Sequence, residues 1–185
     1  MFTKVIPYFK KNYIMDYKNL ISNYPDFPKD GILFRDMFPI LRSPEAMTQV
    51  LNDLKNFTDE VKPDCIVGIE SRGFIIGTAL SVRHRMSFIP IRKKGKLPGN
   101  VVGVNYSLEY GKDRLEMQSD VFAKGTRVLL VDDLLATGGT IKASSQLIEK
   151  VGGHLVGCAF IIELLGLNGR NNIPNVPVKS LISYD

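Results

Sequence analysis

One stretch of the chain, VLLVDDLLATGGTIKAS at residues 128–144, limits its possible folds more than any other. An aliphatic run typical of a buried strand leads through two carboxylates and several small residues into a helical pattern. The first turn of such a helix has free backbone N–H groups and a positive dipole end, which together bind phosphate without a cationic side chain. Gly138 and Gly139 allow the backbone to approach an anion closely, and Thr137 and Thr140 add hydroxyl donors. The stretch predicts a phosphate-binding loop at the carboxyl end of a strand.

The two carboxylates of this stretch belong to Asp132 and Asp133, and the strand is expected to end at Val131 or Asp132. A carboxylate accepts hydrogen bonds and repels phosphate, so the pair must face another part of the ligand. A ribose diol, which donates two hydroxyl hydrogens, fits that requirement. Side chains alternate along an extended chain, so only one aspartate is expected to point squarely at the sugar. The pattern indicates a ribose 5-phosphate, although a solvated Asp-Asp turn is the alternative for the stretch alone.

Composition narrows the class of protein. A chain of 185 residues with 44% hydrophobic and 23% charged residues is typical of one soluble globular domain. The net charge of +5 is compatible with nucleic-acid binding, but the basic residues are scattered except around residues 83–96. A local basic cluster of this kind favours a polyphosphate ligand over a long polymer. The apolar runs are shorter than the roughly 20 residues of a membrane span. Cys65 and Cys158 lack CxxC spacing and are expected to be buried, reduced thiols.

The order of apolar runs and helical periods predicts an α/β fold with a mostly parallel, twisted central sheet flanked by helices. Residues 1–15 are interpreted as an N-terminal extension, and residues 16–185 as a single domain with a small hood at about 16–45. A glycine- and lysine-rich insertion at about 92–112 is expected to be a flexible lid loop followed by hairpin-like segments. The predicted strands are 65–69, 88–91, 127–131 and 155–162, and the predicted helices are 44–56, 73–83 and 140–151.

Thirteen consecutive residues, VLLVDDLLATGGT, resemble the phosphoribosyl diphosphate signature of type I phosphoribosyltransferases. The segments PDFPKDGILFRD, GIESRGFIIG, IRKKGKLPG and YSLEYG resemble the adenine phosphoribosyltransferase subfamily, and the resemblance runs from about Asp16 to the C-terminus. It implies transfer of the 5-phosphoribosyl group from phosphoribosyl diphosphate to N9 of adenine, which gives AMP and diphosphate. It further implies Mg²⁺ carried by the diphosphate substrate without a direct protein ligand, and a cytoplasmic homodimer that binds neither nucleic acid nor membrane.

The resemblance also implies a role for each matching residue. For the LFRD segment, side-chain chemistry is consistent with an adenine-binding role, because a phenyl ring and a guanidinium can both stack on a purine. The backbone groups of Leu33 and Arg35 can form hydrogen bonds with the edge of the base. A cis Glu70–Ser71 peptide is implied, as is a basic loop that reaches a neighbouring subunit. The implied site comprises Asp132, Asp133, Ala136, Thr137, Gly138, Gly139 and Thr140 for ribose 5-phosphate; Glu70, Ser71, Arg72, Arg92, Lys93 and Lys96 for diphosphate; Leu33, Phe34, Arg35 and Leu164 for adenine; and Glu109 with Tyr110 for catalysis.

Each of these residues also has an ordinary structural interpretation. Arg72 fits a surface ion pair, the basic loop fits solvated surface, and Phe34 and Leu164 fit a hydrophobic core. A phosphoribosyltransferase for a 6-oxo purine (hypoxanthine, guanine or xanthine) is a second hypothesis, but it needs a donor facing the six position, whereas LFRD and LEYG favour adenine. A nucleic-acid-binding regulator with the same fold is a third hypothesis, against which Arg35 and Glu109 argue.

Overall fold

The computed structural model describes residues 15–108, 111–173 and 175–185. Within these ranges the chain alternates strands and helices, with short 3-10 turns at Tyr17–Leu20, Leu165–Leu167 and Gly169–Asn172. In chain order the elements are β1 (Ser22–Tyr24), β2 (Phe34–Asp36), α1 (Phe38–Arg42), α2 (Pro44–Val61), β3 (Cys65–Ile69), α3 (Arg72–His84), β4 (Ser87–Lys93), β5 (Val101–Leu108), β6 (Gly111–Gln118), β7 (Thr126–Leu135), α4 (Gly139–Lys150), β8 (Gly153–Leu164) and β9 (Val178–Tyr184).

The large sheet has the strand order β5-β6-β4-β3-β7-β8-β9. Strands β3, β4, β7, β8 and β9 are parallel, whereas β6 runs antiparallel to both β4 and β5. From β3 the chain crosses to β4 on one side, and from β7 it crosses to β8 on the other side. The strand order therefore reverses between β3 and β7, which is where open α/β sheets bind ligands beyond their carboxyl ends.

Helices cover both faces of the sheet. Ser43 caps α2 by accepting a hydrogen bond from the Ala46 amide, and Pro44 occupies the first turn. The buried side chains of α2 recur at helical spacing and pack, with those of α3, against one sheet face, whereas the buried side chains of α4 pack with Phe160 against the other. Right-handed crossovers running in opposite directions place α3 and α4 on opposite faces.

One irregularity interrupts the pairing of β7 with β8. Val128 pairs with Leu155 but Leu129 pairs with Gly157, so Val156 is an extra residue in β8. The alternation of side chains between the two faces of the sheet therefore shifts by one residue at this bulge. Val156 and Ala159 lie in the core under α2 and α3 although their spacing in sequence is odd.

The N-terminal segment is tied to the domain through α2. Strands β1 and β2 form a separate two-stranded antiparallel sheet. The Tyr17 hydroxyl donates a 2.6 Å hydrogen bond to Asp53 of α2, and Tyr17 itself is buried. Burial and the Asp53 carboxylate raise the pKa of Tyr17, so this donor stays protonated at neutral pH.

The predicted fold class is confirmed, and the predicted strands and helices are all present, but two details are corrected. Strand β7 continues to Leu135 rather than ending at Val131 or Asp132, because β8 keeps pairing with it as far as Glu163. The final parallel strand β9 was not predicted. Both cysteines are buried free thiols, as expected. Among the described residues, no helix combines the length and the apolar character that crossing a lipid bilayer requires.

Replacing Phe160 tests the core beneath α4. Phe160 is 0% exposed, and truncation to alanine leaves a cavity. We expect Phe160→Ala to lower the free energy of unfolding by about 3 to 5 kcal/mol, measured by urea denaturation. The matched control Phe38→Ala removes a ring that is 41% exposed and should cost less than about 1 kcal/mol. Equal losses for both variants would contradict this assignment of the core.

Candidate active site

Two loops face each other where the strand order reverses. The first follows β3 and contains the Glu70–Ser71 peptide, which is cis, as the resemblance implies. The second, residues 136–140, follows β7 and leads into α4; it is called the phosphate loop below. Because β3 and β7 are adjacent and parallel, both loops leave the same edge of the sheet. The sequence segments GIESRGF and DDLLATGGT are therefore neighbours in space.

The phosphate loop has the geometry of an anion-binding turn. Gly138 has a φ of +79° and directly precedes α4, so it adopts a backbone conformation that favours glycine. The first N–H groups of α4 have no partner within the helix, and they face the end of the loop. A positive helix dipole adds to their attraction for an anion. The loop can therefore hold a phosphate with backbone donors and the hydroxyls of Thr137 and Thr140.

The two aspartates have different surroundings. Asp133 is 6% exposed, and its carboxylate accepts a 2.8 Å ion-paired hydrogen bond from Nε of Arg72. Asp132 is half-buried, and its Oδ1 accepts the amide of Asp133 at 2.9 Å. Burial raises the pKa of both groups; the charge of Asp133 adds to this for Asp132, and Arg72 opposes it for Asp133. Asp132 is the more available acceptor, while Asp133 holds Arg72.

Glu70 gathers the basic residues beside the first loop. Its carboxylate accepts hydrogen bonds from Arg92 at 3.2 and 3.3 Å, from Nζ of Lys96 at 2.5 Å and from the amide of Lys93 at 3.1 Å. Burial alone would raise the pKa of Glu70, but these donors lower it to about 2. The basic segment is thus folded back onto the loop, which concentrates positive charge beside Ser71.

Two cavities meet at the phosphate loop. One, of about 560 Å³, is lined by both signs of charge, and the other, of about 630 Å³, is mostly apolar. Leu134, Ala136 and Thr140 line both cavities, so one ligand could extend from one into the other. The charged cavity also includes Glu70, Ser71, Arg72, Lys93, Lys96, Tyr106, Asp113, Asp132 and Asp133. The apolar cavity also includes Pro28, Lys29, Ile32, Leu33, Phe34, Arg35, Thr137, Gly139, Leu164 and Leu167.

Aromatic and cationic groups organise the rim of the apolar cavity. The Phe34 ring packs edge-on against Phe27, with centroids 5.2 Å apart, and the Arg72 guanidinium lies 5.2 Å from its centre. The Arg35 guanidinium lies 3.9 Å from the Tyr184 ring centre and donates to Asn23 at 2.7 Å. Arg35 therefore offers the cavity its backbone, while its guanidinium is engaged elsewhere.

Comparison with known proteins agrees with this geometry. The model of the phosphoribosyl transferase domain family matches residues 44–180. An adenine phosphoribosyltransferase of Prochlorococcus marinus (strain MIT 9313) is 59% identical over 171 residues, which cover 92% of this chain and 99% of the relative. The chain belongs to the adenine phosphoribosyltransferase family.

Solved adenine phosphoribosyltransferases share the fold. The enzyme from Rhodothermus marinus DSM 4252 superposes with a TM-score of 0.86 at 46% identity, over 91% of this chain and 96% of that one. The Trypanosoma brucei enzyme, solved in complex with AMP, pyrophosphate and ribose-5-phosphate, has a TM-score of 0.81 at 30% identity, over 90% of this chain and 77% of that one.

The structure brings together most of the residues that the sequence singled out for an adenine phosphoribosyltransferase site. The two joined cavities are lined by both aspartates, the Glu70 loop with Lys93 and Lys96, the base-binding candidates and the phosphate loop. Within the phosphate loop, Gly138 is the exception, because it is buried. Arg92 braces Glu70. The Arg35 guanidinium contacts the Tyr184 ring and Asn23, so its stacking on a purine stays a prediction. Glu109 and Tyr110 lie outside the described residues.

Sequence reasoning missed several residues that line the cavities, among them Tyr106, Asp113 and Leu134. Tyr106 and Asp113 are paired across β5 and β6, and the Tyr106 hydroxyl lies 3.4 Å from the Asp113 carboxylate. Burial raises the pKa of Tyr106. Leu134 lies between the cavities because β7 extends further than predicted. A hairpin turn placed at residues 109–110 pairs Tyr106 with Asp113, and this pairing was the sequence signal that could have identified both residues.

Replacing Gly73 tests how α3 is held against β7. A Cβ on Gly73 would lie 2.7 Å from the backbone oxygen of Val131 and 2.9 Å from Oδ1 of Asp132. We expect Gly73→Ala to push the start of α3 away and to lengthen the contact between Arg72 and Asp133. Since displacements near 1 Å cost about a hundredfold in well-oriented sites, adenine phosphoribosyltransferase activity should fall by roughly that factor.

The control for this prediction is Gly166→Ala, whose new Cβ would have no heavy atom closer than 3.8 Å. Steady-state kcat/KM and a thermal unfolding curve should be measured for both variants. Full activity in Gly73→Ala would show that the approach of α3 to β7 does not set the site geometry.

Proposed function

We propose that the two joined cavities bind phosphoribosyl diphosphate and adenine, and that the chain transfers the 5-phosphoribosyl group to N9 of adenine in purine salvage. The C1–O bond to diphosphate breaks, the C1–N9 bond forms, and AMP and diphosphate leave. The observation that carries the proposal is that the charged and apolar cavities share the phosphate loop. A sugar phosphate bound there would point one side of its ring at each cavity.

The ribose 5-phosphate end is assigned to the phosphate loop and the aspartates. The N–H groups and threonine hydroxyls of residues 136–140 bind the phosphate. Asp132, the more accessible carboxylate, accepts hydrogen bonds from the ribose diol. Asp133 contributes mainly by holding Arg72, since their contact is 2.8 Å. In this assignment, Asp132 contacts the ligand and Asp133 holds Arg72 in place.

The diphosphate end is assigned to the loop after β3. Ser71 and the N–H groups at the start of α3 face the charged cavity, together with Lys93 and Lys96. These cations offset the negative charge that develops on the leaving group as the C1–O bond breaks. Arg92 acts indirectly, because both of its terminal contacts hold the Glu70 side chain and the Lys96 backbone in place.

The base is assigned to the apolar cavity. Leu33 and Arg35 are two residues apart around strand β2, so their backbone groups point to the same edge and can read one side of a purine. A backbone carbonyl accepts from the exocyclic amine of adenine, while a backbone N–H donates to a ring nitrogen. Phe34 and Leu164 supply apolar surface. These groups favour adenine over a purine with oxygen at the six position.

The remaining catalytic roles rest on the family resemblance. Glu109 is proposed as the general acid or base that exchanges a proton with the purine ring nitrogens, a role worth about 10²- to 10⁴-fold in rate. Tyr110 is proposed to cover the site, because water competes with adenine for the activated sugar.

The donor chemistry of the charged cavity suits Mg²⁺. Magnesium prefers oxygen ligands and is commonly held by one or two carboxylates together with substrate phosphates. Among the described carboxylates of this cavity, Asp133 pairs with Arg72, Glu70 pairs with Lys96 and Arg92, and Asp113 pairs with Lys93, which leaves Asp132 as the most available one. Magnesium carried on the diphosphate would neutralise leaving-group charge when bound.

Base selectivity is the experiment that tests the proposed function. Diphosphate release should be measured with adenine, hypoxanthine, guanine and xanthine at a fixed concentration of phosphoribosyl diphosphate. We expect kcat/KM for adenine to exceed the others by about 10⁴-fold or more, because a mismatched donor or acceptor leaves buried polar groups unpaired. A preference for hypoxanthine would favour the 6-oxo purine alternative, and salt-dependent RNA binding without turnover would favour the regulator.

We propose that the chain works as a homodimer. Helix α3 presents Ile75 and Val82, 40% and 74% exposed, seven residues apart and therefore on one side of the helix. Such a row favours contact with a second copy. The basic loop at residues 92–96 leaves the neighbouring strand β4, which fits the expectation that it reaches the partner. The free buried thiols of Cys65 and Cys158 fit the reducing cytoplasm, which is the proposed location.

A charge on the exposed face of α3 tests the dimer. Val82→Asp would place a carboxylate in the proposed interface, so we expect the dimer dissociation constant to rise by about a hundredfold or more. Analytical ultracentrifugation measures this directly. The control Ser119→Asp adds the same charge at an exposed turn after β6 and should leave the association unchanged. A monomeric parent protein, or a fully dimeric Val82→Asp variant, would contradict the proposal.

A further inference from the structure

The segment after β8 lies against the phosphate loop, and we propose that three polar side chains, one at the end of β8 and two in this segment, position that loop. These residues are Glu163, Arg170 and Asn172. The inference rests on the proposed function, because it assigns the phosphate loop to the 5-phosphate of the substrate. None of the three residues is proposed to touch the substrate; each acts through the backbone of the loop.

Close contacts join the turn at residues 169–172 to the phosphate loop. Nδ2 of Asn172 donates a 2.8 Å hydrogen bond to the backbone oxygen of Thr137. A Cβ on Gly138 would lie 2.2 Å from the carbonyl oxygen of Gly169, and a Cβ on Gly169 would lie 2.2 Å from that of Ala136. The two backbones therefore approach as closely as glycine permits. A displacement of the 169–172 turn would move the loop with it.

An ion pair fixes the turn to the sheet. Nε and Nη2 of Arg170 donate to the two carboxylate oxygens of Glu163 at 2.6 and 2.7 Å, a bidentate geometry. The Glu163 side chain is 4% exposed, and hydrogen bonds from Arg170 lower its pKa. Glu163 is on β8, opposite Leu135, the last residue of β7. Sheet, ion pair, turn and phosphate loop thus form one continuous chain of contacts.

The same contact chain does not involve the loop after β3. Arg72 is held instead by Asp133, and the backbone oxygen of Ser71 accepts a hydrogen bond from the Phe74 amide at the start of α3. A change in the 169–172 turn should therefore affect the phosphate end of the ligand and spare the diphosphate end. A residue with only a general structural role would weaken both ends together.

The test compares the binding of two probes to full-length protein by calorimetry: ribose 5-phosphate and magnesium diphosphate. Asn172 is exposed, so Asn172→Ala should fold normally while losing the bond to Thr137. The dissociation constant for ribose 5-phosphate is expected to rise about three- to tenfold, the effect of one hydrogen bond, and that for diphosphate to change less than about twofold. Asn171→Ala, an exposed neighbour in the same turn, is the matched control and should alter neither constant.

Arg170→Lys extends the test to the ion pair. Lysine keeps the charge but loses the bidentate fork, so the weakening should again be confined to ribose 5-phosphate. Equal weakening of both probes, or no change in Asn172→Ala, would overturn the positioning role while leaving the proposed function intact. A parent protein that binds neither probe would overturn both.

Discussion

The site depends on one feature of the topology, which is the reversal of strand order between β3 and β7 at the centre of the sheet. From β3 the connection runs one way, and from β7 it runs the other. Helices α3 and α4 lie on opposite faces of the sheet, as crossovers of the usual right hand require when they run in opposite directions, and their first turns open towards one crevice. Two helix starts in one crevice supply two groups of backbone donors. A substrate with phosphate at both ends of a ribose fits such an arrangement better than a ligand with one anionic group.

Within this crevice, specific ion pairs fix the positions of the charged groups. Arg72 binds Asp133 of β7 and also lies 5.2 Å from the ring centre of Phe34 in β2, so one guanidinium connects the two strands. Glu70 gathers Arg92 and Lys96 on the other side. The cavity can therefore present carboxylates that accept hydrogen bonds from hydroxyl groups close to cations and N–H groups that bind phosphate, with each group held in its own place.

The sequence predicted those parts of the molecule that depend on local rules. Buried parallel strands read as continuous apolar runs, and a loop such as ATGGT has few other uses after a strand. The end of β7 was misplaced because aspartate disfavours strands, whereas pairing with β8 overrides that preference. The partner of Arg35 is Tyr184, near the other end of the chain, and the contact of Asn172 with Thr137 crosses 35 residues. No local pattern encodes such contacts.

The bulge at Val156 decides which face of β8 each later residue occupies. A strand shifted by one residue exchanges all of its side chains between faces. Glu163 and Leu164 lie beyond the bulge, so their assignments to the ion pair and to the apolar cavity both depend on that single extra residue. The extra residue in β8 is therefore part of the geometry of the site. Deletion of Val156 would exchange the faces of Glu163 and Leu164, whereas replacement of its side chain would leave both on their present faces.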